Sequence, residues 1–120
     1  MAEEVRGFQI RAVKRYLGIS PQKVRLVINQ VRGEHVDDAL AVLRFLPQGA
    51  APPVAKLIRS GIASAEENFG LNREDLWIAE ITADQGPTRK WRRFGARGRF
   101  KPILRRSSHV VVVLEERLSD

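Results

Sequence analysis

Apolar residues recur along this chain with two different periods, and the switches between them mark out the elements. Phe8, Ile10 and Ala12, with Lys14 in step, fall on one face of an extended segment, and Arg11, Val13 and Arg15 fall on the other. This loose alternation predicts a short edge strand over 8–16. Ser20-Pro21 then announces a helix, with Ser20 placed to cap free N–H groups and Pro21 suited to the first helical position. Val24, Val27, Ile28 and Val31 follow at i, i+3, i+4 and i+7 as one apolar stripe, flanked by Lys23 on one side and by Arg25 and Arg32 on the other, and Gly33 is a natural stop. A second helix is predicted over 36–46, with Asp37 and Asp38 at the positive end of its dipole, a stripe of Val36, Ala39, Leu40, Leu43 and Leu46, and Pro47 and Gly49 after it. A third begins at Pro52-Pro53, carries Val54, Leu57, Ile58, Ile62, Ala65 and Phe69 as core positions, and is closed by Gly70.

From Leu76 the period becomes two. Trp77, Ala79, Ile81 and Ala83 alternate with Leu76, Ile78, Glu80 and Thr82. A last strand over 107–116 ends in a β-branched run, Val110 to Val113, and Leu114. Between these two strands lies a segment of another character.

Net charge changes the picture here. The chain carries 21 basic and 14 acidic residues, a formal charge of +7. Nine of the basic residues lie in 89–106, with no acid among them: Arg89, Lys90, Arg92, Arg93, Arg97, Arg99, Lys101, Arg105 and Arg106. The remaining twelve are outnumbered by the 14 acids, so the whole positive excess belongs to this segment. Gly95-Ala96-Arg97-Gly98 sits at its midpoint and supplies the freedom a tight turn needs. Two strands joined by such a stretch predict an extended β-hairpin over about 86–108, an arm of roughly 30 Å at ~3.3 Å per residue. A bare ribbon of this kind is marginal in water and requires a surrounding partner. Arginine predominates, and its planar fork meets phosphate oxygens in bidentate fashion. Trp91, Phe94 and Phe100 are interleaved with it, suited either to stacking on unpaired bases or to packing across the hairpin. A polyanion, and RNA above all, is the expected partner.

Other chemistries find little support. There is no cysteine, which excludes disulfides and thiolate sites and fits a reducing compartment. No apolar run approaches the ~20 residues of a membrane span, and the Met1-Ala2-Glu3-Glu4 start is unlike a secretory signal. Gly95-Ala96-Arg97-Gly98 matches a G-x-x-G pattern but joins strands, so it reads as a turn. His35 and His109 are the only histidines and read as a helix-entry and a strand residue; Glu66 and Glu67 diverge on a helix. No nucleophile, base and orienter set is present, so neither an enzyme nor a metal or other cofactor is expected. The main alternative is an architectural DNA-binding protein with basic β-arms, which would need a dimer and an apolar wedge at the tip.

Several stretches together resemble one family: Ser20-Pro21-Gln22-Lys23-Val24-Arg25, then Ala63-x-Ala65-Glu66-x-Asn68, then Gly86-Pro87, then Ala96-Arg97-Gly98-Arg99, and finally Ile103-Leu104-x-Arg106-x-Ser108-His109-Val110. They resemble, in order and over nearly the whole chain, the large-subunit ribosomal protein L22 family of bacterial or organellar type. The resemblance implies an α+β fold, with three helices packed on a small antiparallel three-stranded sheet and a long β-hairpin extension, forming one domain over 1–120. It implies a non-enzymatic structural constituent of the large ribosomal subunit that acts in early assembly. Its partners would be large-subunit ribosomal RNA, neighbouring large-subunit proteins and the nascent polypeptide, because in this family the hairpin lines the peptide exit tunnel. No membrane and no obligate homo-oligomer are implied; the location is the ribosome of the cytoplasm or of an organelle matrix. The expected rRNA contacts are Lys23 and Arg25 of the Ser-Pro-Gln-Lys-Val-Arg motif, a basic cluster of Arg11, Lys14 and Arg15, and along the hairpin Arg89, Lys90, Trp91, Arg92, Arg93, Arg97, Gly98, Arg99, Lys101, Arg105 and Arg106. Arg89, Lys90 and Trp91 fall where the family lines the tunnel constriction, and Arg97, Gly98 and Arg99 at the far turn. Phe94-Gly95 and Phe100 depart from the family pattern.

Overall fold

A computed structural model describes residues 9–94 and 100–118; over 89–94 and 100–104 it describes backbone alone. The elements follow as β1 (Gln9–Leu17), α1 (Pro21–Ile28), α2 (Val36–Phe45), α3 (Ala51–Phe69), a 3-10 turn (Arg73–Asp75), β2 (Leu76–Gln85), β3 (Arg89–Phe94), β4 (Phe100–Arg105) and β5 (Ser108–Glu116). The β-branched run lies on the central strand of an antiparallel sheet ordered β1-β5-β2. That position suits it: Val110, Val112 and Leu114 are buried under the helices, while Val111 and Val113 are half-buried on the opposite face. β1 is an edge strand, as its weak alternation predicts.

The core gathers Val24, Val27 and Ile28 from α1, Val36, Ala39 and Leu43 from α2, and Val54, Ile58, Ile62 and Ala65 from α3 over Leu76, Ile78 and Ile81 of the sheet. Each of the valine, leucine and isoleucine side chains contributes about 1.5–3 kcal/mol when removed from water. Gly61 lets α3 approach closely: a Cβ there would lie 3.0 Å from Leu114 Cδ1 and 3.6 Å from Ala12 Cβ. Gly70, at φ 64°, ends the helix in the left-handed cap its position predicts.

Four expectations need correction. Ser20 occupies the N-cap position of α1, but its side chain makes no capping bond; its carbonyl accepts from Lys23 and Val24. The helix also stops at Ile28, and tighter turns carry the chain to Gly33, whose φ of 80° aims its N–H at the Ile78 carbonyl. The alternation of β2 breaks at a register shift between Ile78 and Glu80, so Leu76 and Ile78 are buried before it and Ile81 and Ala83 after it. Strict period-two reading puts these residues on opposite faces; one extra residue reconciles them. Finally, Phe69 at the end of α3 is 49% exposed and does not join the core. Phe8, which shares the predicted inward face of β1, lies outside the described residues.

The segment between β2 and β5 forms the expected ribbon. β3 pairs antiparallel with β4 from Arg89↔Arg105 to Phe94↔Phe100. These six pairs reach roughly 20 Å at ~3.3 Å per residue, and the molecule is 70 × 31 × 26 Å overall. The predicted turn, Gly95 to Gly98, lies outside the described residues.

Candidate nucleic-acid interface

The ribbon grows out of the β2–β5 pair at a tightly bonded foot. Gly86 donates its N–H to the Ser107 carbonyl (2.9 Å), and the Ser107 hydroxyl donates to the Pro87 carbonyl (2.7 Å). A Cβ at 86 would sit 2.6 Å from Ser107 Oγ and would push that hydroxyl off the Pro87 carbonyl. One residue on, the fully buried Ser108 hydroxyl donates to the carbonyl of Ile19. This bond ties the start of β5 to the turn before α1, and so places the Ser20-Pro21-Gln22-Lys23 stretch beside the foot of the ribbon. His109 adds a second tie. Its Nδ1 accepts from the Tyr16 N–H (3.1 Å), and the two rings meet edge to face at 4.9 Å. The bond holds Tyr16 at φ 57°, the left-handed region that a tyrosine rarely adopts.

The result is an open groove of ≈ 800 Å³ lined by Gly18, Ile19, Ser20, Lys23 and Leu26 on one wall, Gln48, Gly49 and Ala50 on a second, and Arg105 and Arg106 on the third. Three predicted contacts, Lys23 from α1 and the adjacent Arg105 and Arg106 about eighty residues later, converge here with exposed side chains. Cations around an open hollow, with an exposed leucine on one rim, suit a nucleic-acid strand better than a small enclosed ligand.

Other predicted contacts are placed differently. Arg25 turns its guanidinium onto the sheet: Nε and Nη2 donate to the Ala83 carbonyl at 3.1 and 2.8 Å. Arg32 does the same to the Ile81 carbonyl at 2.9 Å. With Gly33 bonded to the Ile78 carbonyl and Ile78 to the Glu34 carbonyl, these bonds cover the free edge of β2, which would otherwise be open to another strand. Arg11, Lys14 and Arg15 are all exposed, and the register puts Arg11 and Lys14 on opposite faces of the sheet. Arg11 stands opposite Val113 on the outer face, Lys14 opposite Val110 on the helix-covered face, and Arg15 lies within a register shift between Lys14 and Leu17. Arg89, Lys90, Trp91, Arg92, Arg93 and Lys101 lie on the paired backbone of β3 and β4; Arg97, Gly98 and Arg99 lie outside the described residues.

Two features carry no sequence signal. One is Gln48, brought to the groove by the α2–α3 connection. The other is a hollow of ≈ 510 Å³ between α2 and α3 bordered by Arg44, Arg59 and Arg73, with Arg73 paired to Asp37 at 2.5 Å. His35 serves the fold. Its Nδ1 accepts from Asp37 N–H as the cap of α2, its Nε2 bonds the Glu74 carbonyl at 2.8 Å, and its ring packs edge-on against Trp77. Among the described residues no group of acids and histidines is arranged to hold a metal, and no helix is long and apolar enough to cross a membrane.

Comparison with known proteins agrees with this arrangement. The family model for ribosomal protein L22p/L17e matches residues 12–115. The chain belongs to that family. It is 49% identical over 109 residues to the large ribosomal subunit protein uL22 of Thermoanaerobacter sp. (strain X514), covering 91% of this chain and 98% of that protein. The uL22 of Finegoldia magna is 49% identical, with 91% and 97% covered. That of Synechococcus sp. (strain JA-3-3Ab) is 48% identical over 106 residues, with 88% and 86% covered. The matched region includes the groove, its two serine and histidine ties, and the whole ribbon.

Proposed function

We propose that this chain is a structural, non-enzymatic constituent of the large ribosomal subunit that binds large-subunit rRNA through its basic ribbon and the groove at the ribbon's foot. The convergence of Lys23 with Arg105 and Arg106 carries this reading. It brings the α1 motif to the foot of the acid-free basic segment. Along the ribbon Arg89, Lys90, Trp91, Arg92, Arg93 and Lys101 add phosphate and base contacts, and Arg97, Gly98 and Arg99 engage RNA at its far end. Arg11, Lys14 and Arg15 make separate, weaker contacts. The ribbon is long enough to pass through folded RNA, and family membership supports a place for it along the nascent-peptide tunnel, with the body among neighbouring ribosomal proteins. The whole chain acts as one domain and not as an obligate homo-oligomer, in ribosomes of the cytoplasm or of an organelle matrix.

The test is affinity for protein-free large-subunit rRNA as a function of salt. If six to ten phosphates are engaged, affinity falls roughly 10³- to 10⁵-fold between 50 and 200 mM salt. Preference for duplex DNA by an obligate dimer would instead support an architectural DNA-binding role.

A further inference from the structure

Tyr16 stands in a backbone conformation that suits a smaller residue better. At φ 57° it lies in the left-handed region, where a Cβ is crowded and glycine or asparagine is the usual occupant. The other positive φ angles among the described residues belong to glycines, Gly33 and Gly70. The tyrosine ring adds little to the core, since the residue is 65% exposed. Backbone strain kept where the core gains nothing points to a use for the side chain. The ring is nonetheless held in place. The Tyr16 N–H donates to His109 Nδ1 at 3.1 Å, and the two rings meet at 87° with centroids 4.9 Å apart. An edge-to-face pair covers at most one face of the phenol, so at least one face stays open. No second ring and no cation packs on it among the described residues. Its surroundings are basic: β1 carries Arg11, Lys14 and Arg15 and no acid, and Leu17 pairs with Ser108, two residues past Arg106 at the foot of the ribbon. Asp84 stands opposite His109 on β2, the far strand of the sheet. A carboxylate there repels a phosphate but not the uncharged face of a base.

We infer that Tyr16 is a stacking platform for one unpaired base of the rRNA. The site rests on the rRNA-binding reading and deepens it: it lies outside both the groove and the ribbon, and it recognises an aromatic ring where they attract charge. Loops and bulges are where RNA presents unstacked bases to aromatic side chains. Stacking tolerates any base, because every base has a π-face. It releases no counterions, so it acts on affinity while the cations set the salt dependence.

The experiment uses the full chain and protein-free large-subunit rRNA. Tyr16→Leu keeps the backbone strain and an apolar side chain but removes the ring. It is expected to weaken binding about five-fold or more, with the slope of log affinity against log salt unchanged. Tyr16→Phe and Tyr16→Trp keep a π-face and are expected to bind as the wild type does. A benzoyl-phenylalanine placed at 16 should, on irradiation of large subunits, crosslink to rRNA. Wild-type affinity in Tyr16→Leu overturns the stacking site and leaves rRNA binding standing. An equal loss in Tyr16→Phe also overturns it, because the hydroxyl is then what matters. So does a loss that follows a lowered melting temperature of the free chain, because Tyr16 then acts through the fold. Capture of a neighbouring protein alone at position 16 overturns it as well. A wild-type chain that binds rRNA no better than duplex DNA overturns the function itself.

Discussion

At the scale of single residues, the same side-chain type serves the fold at one position and the partner at another, and local geometry decides which. Lys23 and Arg25 are two apart on α1. Lys23 faces the groove, whereas Arg25 spends its donors on the Ala83 carbonyl. Arg25→Ala should therefore cost roughly 1–2 kcal/mol of stability, since charge-assisted bonds to a partly exposed carbonyl are worth about that much. It should leave the salt slope of rRNA binding unchanged, while Lys23→Ala does the reverse; melting curves beside salt titrations check both. Ser108→Ala should cost about 1–2 kcal/mol, because it leaves the Ile19 carbonyl without its buried donor. It should also weaken rRNA binding by loosening the turn that presents Lys23. Sequence alone marks Arg25 and Ser108 as members of recognisable motifs. It does not reveal what they touch, because their partners lie 58 and 89 residues away in the chain.

At the scale of elements, periodicity carries most of what is needed. The stripes of α1, α2 and α3 and the β-branched run of β5 identify every helix and the central strand, because each buries one face against a single layer. Reading fails where an element departs from its own period. The shift between Ile78 and Glu80 moves the buried set of β2, and helix propensity beyond Ile28 yields to the hook at Gly33. Phe69 sits in step with the α3 stripe but is its last residue and half exposed, so phase alone misassigns it. Gly61 shows how close packing sets a limit that periodicity hides. Gly61→Ala gains helix propensity against a tight contact, but Gly61→Leu must push α3 off Leu114 and should cost about 1–3 kcal/mol by overpacking. Thermal melting of the two variants gives the comparison. The ribbon is an element separate from the body's sheet, because β3 pairs with β4 and not with β1, β5 or β2. Deleting Arg89 to Arg106 joins Thr88 to Ser107, and because Gly86 already bonds Ser107 the remaining connection is a two-residue turn. The shortened chain should keep its circular dichroism signature of three helices and unfold cooperatively; loss of cooperativity would show that the ribbon supports the body.

At the scale of the whole molecule, stability and binding are separated in space. The body holds a packed core and a slight acidic surplus, and the ribbon and its foot hold the entire positive excess. A basic ribbon of this kind is only marginally stable alone in water, so its charge calls for a polyanionic partner. The groove was only half legible. Lys23, Arg105 and Arg106 stood out as basic, but Gln48 has no motif and enters through the α2–α3 connection. Charge reversal at the far end, Arg97→Glu with Arg99→Glu, should lower incorporation into large subunits several-fold without changing the melting temperature of the free chain. Quantitative mass spectrometry of purified subunits reads that ratio. The most direct test of the central claim is to express the intact chain with a small tag, wash large ribosomal subunits in high salt, and count the copies that remain. The account predicts about one copy per subunit. A chain that stays at the top of the gradient, absent from washed large subunits, would contradict it.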